Sequence, residues 1–147
     1  MKMKQYAVIG LGRFGSSLAK ELINEGVEVL GIDRDEEVVN EMADVLTHAI
    51  VVDSTDEEAL RSIGIRNFDC VIVAIGDDIQ ASIMTAILLK EMRVGTVVAK
   101  ALSELHGKVL ERLGVDRVIF PERDMGIRVA HQLVNPNLLD YIELSKD

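Results

Sequence analysis

Gly10, Gly12 and Gly15 form a G-x-G-x-x-G series directly after the apolar run Tyr6 to Ile9, and Asp33 stands 18 residues beyond the last of them. Each position has a distinct use. The first glycine permits a tight turn, the second lets a diphosphate approach the backbone, and the third lets the following helix pack closely on the strand. A helix starting there offers free N–H groups and the positive end of its dipole to an anion. Asp33 is close to the ~20-residue spacing expected of the acidic partner, at the end of the next strand. Its carboxylate can accept hydrogen bonds from ribose hydroxyls and repel a 2′-phosphate, which favours adenosine or NAD-type ligands over NADP. Arg34 beside it weakens that exclusion.

Three further strand ends bring polar groups to the same edge of the sheet, where open α/β folds bind their ligands. Asp53-Ser54-Thr55 ends the third strand, Gly76-Asp77-Asp78 follows the fourth, and Lys100 ends the fifth. Asp53 or Thr55 can meet an adenine edge; the run Asp53 to Asp56 is equally suited to capping a helix. Lys100 can serve as a point charge for phosphate. Arg13 sits inside the glycine turn, where its planar fork either reaches phosphate oxygens of its own ligand or a neighbour's, or simply faces solvent. Phe14 packs under the helix.

The elements that must position these groups follow from periodicity. Short β-branched runs near 5–9, 27–32, 47–52, 69–75, 96–100 and 117–120 alternate with helical patterns near 14–25, 35–44, 56–63, 79–92, 103–113 and 122–134. That alternation predicts an α/β fold: a Rossmann-like, doubly wound, six-stranded parallel sheet with a C-terminal crossover helix. Ile50 to Val52 and Val71 to Ile75 are continuously apolar, as strands covered on both faces should be. Gly26, Gly64 and Gly114 fall where helices should stop, Asp56 and Ser103 where they should start.

With 147 residues and 48% apolar content, the chain suits one compact domain and leaves no room for a second, catalytic one. The 16 basic and 25 acidic residues give a formal charge of −9, and no run of Lys and Arg appears, which argues against nucleic acid as a partner. Cys70 is the single cysteine, so neither a disulfide framework nor a cysteine-rich metal site can form within one chain. No leader pattern opens the sequence and no apolar stretch approaches the ~20 residues of a membrane span, so the reading is intracellular, without direct membrane insertion. Catalytic machinery is equally hard to find. No Tyr-x-x-x-Lys pair, Ser/His/Asp set or nucleophilic cysteine falls near the glycine turn. His48 begins a strand, His106 is expected on an exposed helix face, and His131 lies on the last helix; none has a companion at metal-ligand spacing.

The C-terminal region suggests assembly instead. On the last helix Met125, Val129 and Leu133 form one apolar stripe, and Ile127, Ala130 and Val134 another. One stripe can cover the sheet, leaving the other for a partner. Pro136 should end that helix, and Leu138-Leu139-x-Tyr141-Ile142-x-Leu144 reads as an apolar arm. Helix 79–92 is apolar almost all round, which fits either deep burial or a second contact surface.

Ala7-Val-Ile-Gly-Leu-Gly-Arg-Phe-Gly15, Ile65-Arg-Asn-Phe-Asp69, Val71-Ile-Val-Ala-Ile-Gly76, Ile79-Gln-Ala-Ser82 and Pro121-Glu-Arg-Asp-Met-Gly126 together resemble the cytosolic regulatory subunits of bacterial Ktr/Trk potassium-uptake systems, specifically their N-terminal KTN or RCK-N lobe. The resemblance covers essentially the whole chain and is closest to the Ktr type. It implies a lobe (residues 1–134) that binds ATP, ADP or NAD(H), followed by an arm or linker (135–147) toward the small C-terminal lobe that family members carry. It further implies dimers formed through a crossing C-terminal helix, an octameric ring, and a membrane-embedded potassium-translocating subunit as partner at the inner face of the cell membrane. By the same resemblance Gly10, Gly12, Arg13, Asp33, Asp53, Ser54, Thr55 and Lys100 are nucleotide-site residues, with Arg13 suited to sensing a γ-phosphate across the dimer. Phe14, Gly15, Arg34, Ala74, Ile75 and Gly76 complete the candidate set. Glu122 matches an acidic position where a divalent cation can sit, although a carboxylate in the first helical turn also stabilises that turn. The function so implied is non-enzymatic nucleotide sensing. The rival reading is an NAD-dependent oxidoreductase subunit that borrows its substrate site from another chain. A nucleotide-responsive transcription regulator is disfavoured by the acidic charge and by the lack of a helix-turn-helix segment.

Overall fold

The computed structural model describes residues 3–135. Six strands form one all-parallel sheet in the order β3-β2-β1-β4-β5-β6, comprising β1 (Gln5–Ile9), β2 (Glu28–Asp33), β3 (His48–Val51), β4 (Cys70–Val73), β5 (Val97–Lys100) and β6 (Arg117–Ile119). The helices between them are α1 (Arg13–Asn24), α2 (Glu36–Met42), α3 (Glu57–Ser62), α4 (Ile79–Glu91), α5 (Glu104–Arg112) and α6 (Pro121–Val134). The sheet therefore winds outward in both directions from β1 and β4, as the alternation of elements predicts.

β4 lies at the centre, and all four of its residues are buried, which accounts for its unbroken apolar sequence. It is shorter than the run 69–75 suggests. Ala74 N still donates to Ile9 O at 2.7 Å, but beyond Ile9 the neighbouring strand turns away at Gly10, and Ile75 is left without a pairing partner. A 3₁₀ turn, Ile65–Asn67, precedes β4 and is not foreseen by the periodicity; its Ile65 is fully buried. Helix punctuation follows the sequence. Asp56 and Ser103 accept hydrogen bonds from the first turns of α3 and α5, and Gly26, Gly64 and Gly114 have positive φ after α1, α3 and α5.

Two expectations need correction. The first concerns α6, of which neither stripe covers the sheet: no residue of the helix is buried, and Met125, Ile127, Leu133 and Val134 are 48–77% exposed. The helix is anchored at its start, where the Arg123 guanidinium stacks 3.9 Å from the centre of the Phe120 ring and approaches Glu104 at 3.6 Å. Because the chain leaves β6 through Phe120, which packs over Gly107 of α5, the helix is directed off the body rather than along it. Pro136 and the apolar arm lie outside the described residues. The second correction concerns α5, where His106 is buried (2% exposed) while its neighbour Leu105 is 73% exposed. α4 is neither wholly buried nor wholly a surface: Ser82, Thr85, Ala86 and Leu89 face the interior, whereas Ile79 and Met84 are exposed.

Candidate functional site

The ends of β1, β2 and β4 and the turn after β3 enclose a cleft of about 430 Å³ at the carboxyl edge of the sheet, beside the point where strand order reverses. This is within the size range of small-ligand sites. Its floor is the glycine turn. Gly10 has φ +99°, and a Cβ there would stand 2.8 Å from the backbone of Ala74 and Ile75. A Cβ on Gly15 would overlap the Gly10 carbonyl oxygen, so both glycines are required by the protein's own packing. Gly12 is different: its φ is −71°, and a Cβ would meet nothing within 4 Å. No steric contact of the fold requires glycine there, although the N-cap position favours it over alanine. The demand, if it exists, comes from something entering the cleft.

α1 begins immediately after Gly12, with no side-chain cap and no acidic residue in its first turn. The other α-helices each have one or both. Free N–H groups and an uncompensated positive dipole end therefore face the cleft, which suits a phosphate.

Asp33 is held by the turn it serves. Its Oδ2 accepts from Leu11 N at 2.8 Å and its Oδ1 from Asp35 N at 2.9 Å. Each oxygen retains a lone pair for a ribose hydroxyl. On the opposite side, Asp53 Oδ1 accepts from Thr55 N at 3.0 Å and from the Thr55 hydroxyl at 2.7 Å. These bonds, the hydroxyl first, with Arg34 adding a smaller electrostatic contribution, hold the Asp53 carboxyl below the usual carboxylate range. Asp53 thus stays an acceptor. Capping of α3 falls to Asp56 alone, which accepts from Glu58 N and Ala59 N. Ser54 borders the cleft, but its hydroxyl turns inward to Thr85 at 2.8 Å. Arg34 leans across the mouth toward Asp78 at 3.8 Å, with 68% of its side chain exposed, a pair of small energetic weight.

Gly10, Gly12, Asp33, Arg34, Asp53, Ser54, Thr55, Ile75 and Gly76 line this cleft. Gly15 and Ala74 lie directly behind the turn. Arg13, Phe14 and Lys100 do not line it. Lys100 borders an adjoining cleft of about 240 Å³ with Ser103, Glu122 and Arg123. Its Nζ is nonetheless directed toward the first cleft, 5.6 Å from the Phe14 ring centre and 3.5 Å from where a Cβ on Gly76 would stand. Among the described residues it has no carboxylate partner. Arg13 is exposed and follows the cleft-lining Gly12 without lining the cleft itself.

The apolar walls Val38, Val52 and Ala81 and the acidic rim residue Asp35 also line the cleft and are not among the residues the motifs single out. Asp35 carries a signal in retrospect, because it caps α2 by accepting from Glu37 N. Val38 and Ala81 are ordinary members of amphipathic helices and carry none. Five aspartates, 33, 35, 53, 77 and 78, line the cleft against one cation, Arg34. A polyanion would meet the least repulsion with its phosphates on the glycine turn and toward Lys100, away from the carboxylates.

A divalent cation at Glu122 finds little support within one chain. Among the described residues no three His, Cys, Asp or Glu side chains are grouped to hold a metal, and Glu122 shares its cleft with Lys100 and Arg123. That donor set does not fit an ion that asks for about six oxygens.

Residues 6–121 match the model of the TrkA-N domain family. The Ktr system potassium uptake protein C of Bacillus subtilis (strain 168) is 55% identical over 144 residues, covering 98% of this chain and 65% of that protein. Ktr system potassium uptake protein A of the same organism is 52% identical over 147 residues, covering 100% and 66%. The chain thus spans just under two thirds of the length of these relatives. The solved GsuK RCK domain is similar with a TM-score of 0.66 at 27% identity, over 79% of this chain and 25% of that one. GsuK structures bound to NAD and to ADP share the fold, with TM-scores of 0.71 and 0.70 at 11% identity, over 80% of this chain and 21% and 31% of theirs. Among the described residues no helix is long and apolar enough to cross a membrane.

Proposed function

This chain belongs to the TrkA-N domain family, and from that premise we propose that it is the nucleotide-sensing part of a regulatory subunit that controls a potassium-uptake system. Its ligand is an adenosine diphosphate compound, ATP and ADP or NAD and NADH. The observation that carries this reading is the pairing of Gly12, which the fold leaves free, with the uncapped start of α1, opposite a rim of aspartates. The relatives' names supply the potassium system, and the GsuK structures offer a precedent for NAD and ADP on this fold.

In this reading the diphosphate lies over Gly10 and Gly12 with Lys100 as its counter-charge, Asp33 takes the ribose hydroxyls, and Asp53 accepts from the adenine amine. Phe14 seats Lys100, and Arg13 reaches the ligand of a second copy. The exposed stripes of α6 bring two copies together, the copies build an octameric ring, and the ring acts in the cytoplasm on a membrane-embedded translocating subunit. Residues 135–147 serve as an arm or linker. A divalent cation at Glu122 would require oxygen ligands from that second copy. Control follows only if two ligands prefer different arrangements of the assembly, because a ligand with equal affinity for both shifts nothing.

The protein acts as a sensor rather than an enzyme. No His, Cys, Lys or Tyr lines the cleft, and Lys100, directed toward it from the adjoining cleft, is taken up as the phosphate counter-charge, so a dehydrogenase would have to borrow its proton donor from another chain. The test is prolonged incubation with NADH and small carbonyl compounds, followed at the absorbance of the reduced cofactor. An unchanged cofactor alongside measurable binding supports the sensor; steady turnover would restore the oxidoreductase reading.

A further inference from the structure

α4 carries two hydroxyls on its buried side, Ser82 and Thr85, both fully shielded from solvent. They are three residues apart and so lie on one helix face. Each is bonded to a segment that leads to a different part of the cleft.

Thr85 Oγ1 lies 3.3 Å from the Ser54 carbonyl oxygen, to which it donates, and 2.8 Å from Ser54 Oγ. A hydroxyl has one proton, so when Thr85 gives it to the carbonyl, Ser54 Oγ donates in the shorter contact, whose geometry allows either direction. Both groups are then satisfied. Ser54 stands between Asp53 and Thr55, which line the sugar and base side of the cleft.

Ser82 Oγ lies 3.0 Å from His106 Nε2, and His106 Nδ1 accepts from Leu102 N at 2.9 Å. Acceptance at Nδ1 puts the ring proton on Nε2, from which it is donated to Ser82. Leu102 is two residues past Lys100, in the turn between β5 and α5. His106 N also donates to Ser103 Oγ at 3.1 Å, which ties the turn to the start of α5.

One face of α4 is thus hydrogen-bonded to the turn that carries Asp53 and Thr55 and, through His106, to the turn that follows Lys100. We propose that Thr85, Ser82 and His106 are positioning residues: they set the distance between the carboxylate side of the cleft and its phosphate-side cation, so that nucleotide affinity depends on hydroxyls no ligand touches. The inference rests on the nucleotide reading above. Its physical basis is that a buried hydroxyl pair adds little net stability over an apolar pair of the same shape, whereas it fixes relative geometry far more narrowly than apolar contact does.

The test compares Thr85→Val, Thr85→Ser and the double variant Ser54→Ala/Thr85→Val with the unaltered chain, reading ADP affinity by calorimetric titration and stability by thermal unfolding. Thr85→Val should weaken ADP binding about five- to tenfold, the scale of one lost hydrogen bond, and Thr85→Ser should restore it. The double variant also removes Ser54 Oγ and leaves only the Ser54 carbonyl without its side-chain donor, so its stability should recover part of the way toward that of the unaltered chain while its ADP affinity stays weak. Affinity that recovers together with stability would overturn the positioning role, as would equal ADP affinity in Thr85→Val and the unaltered chain. An unaltered chain that binds none of ATP, ADP and NAD would overturn the nucleotide reading itself, and this inference with it. Should Thr85→Val fail to fold, Ser82→Ala carries the same expectation of weakened ADP binding at the other end of the seam.

Discussion

Asp33 Oδ2, at the end of β2, accepts a 2.8 Å hydrogen bond from the backbone N–H of Leu11, inside the glycine turn after β1. The acidic residue and the turn are therefore one unit: the carboxylate that would meet a ribose also fixes the loop that would cradle the phosphates. Asp33→Ala should weaken every ribose-bearing ligand by about 1–3 kcal/mol, because it removes an acceptor and leaves Leu11 N and Asp35 N unpaired. Calorimetric titration with ADP and NAD checks this; unchanged affinity for both would mean that the acidic position does not serve the ligand.

The two kinds of glycine in the turn should behave oppositely. Gly12→Ala adds a methyl group to open space at an unstrained φ, so stability in thermal unfolding should fall only by the N-cap difference, about 1 kcal/mol or less, while ADP binding drops at least about tenfold, or ~1.4 kcal/mol. Gly15→Ala forces a Cβ into the Gly10 carbonyl and should destabilise the fold by about 1–3 kcal/mol or more, the usual range for overpacking.

Much of this site was legible because its signals are local. The glycine spacing and Asp33 identify the turn, and Asp53, Thr55 and Gly76 follow from strand ends that a parallel sheet must bring to one edge. What was not legible depends on tertiary contacts. His106 is buried, and Leu105 exposed, because Ser82 and Leu102 N offer the imidazole partners that only the folded arrangement supplies. The direction of α6 depends on Phe120 settling over Gly107, a contact no periodicity encodes. Val38 and Ala81 line the cleft through the packing of α2 and α4 beside it, which their own sequence does not encode.

His106 should leave a signature in acid. Burial holds its pKa below the ordinary value of 6.5, so as pH falls the unfolded chain takes up the proton before the folded one does. Stability is thus fully present above about pH 6.5 and declines below it, toward the depressed folded value. The carboxylate Asp53, whose pKa is also lowered, contributes its own loss only well below that, under the ordinary aspartate value. Denaturant unfolding between pH 7.5 and 5 should show the decline, and His106→Asn, which keeps an acceptor near Leu102 N without titrating, should flatten it. An identical slope in both chains would assign the decline to other groups.

On α6, Leu133 is 77% exposed and Val129 38%. If these side chains meet a second copy, Leu133→Asp should shift the chain toward monomer in sedimentation while ADP still binds its own cleft. A species distribution unaltered by the substitution would remove α6 from the interface.

Arg13 is exposed and outside its own cleft, which suits a role at the terminal phosphate of a ligand bound to a neighbouring copy. Arg13→Ala should then reduce the discrimination between ATP and ADP more than it reduces ADP affinity. Equal losses for the two nucleotides would remove Arg13 from that role.

In the proposed function, occupancy of this cleft controls assembly. That control is tested most directly by sedimentation velocity of the chain with saturating ATP, ADP, NAD or NADH, with binding of each measured by calorimetry on the same preparation. At least two of these ligands should bind and give different distributions of oligomers or different sedimentation coefficients, with the ligand recovered intact. Binding of all four with one unchanged distribution would contradict it.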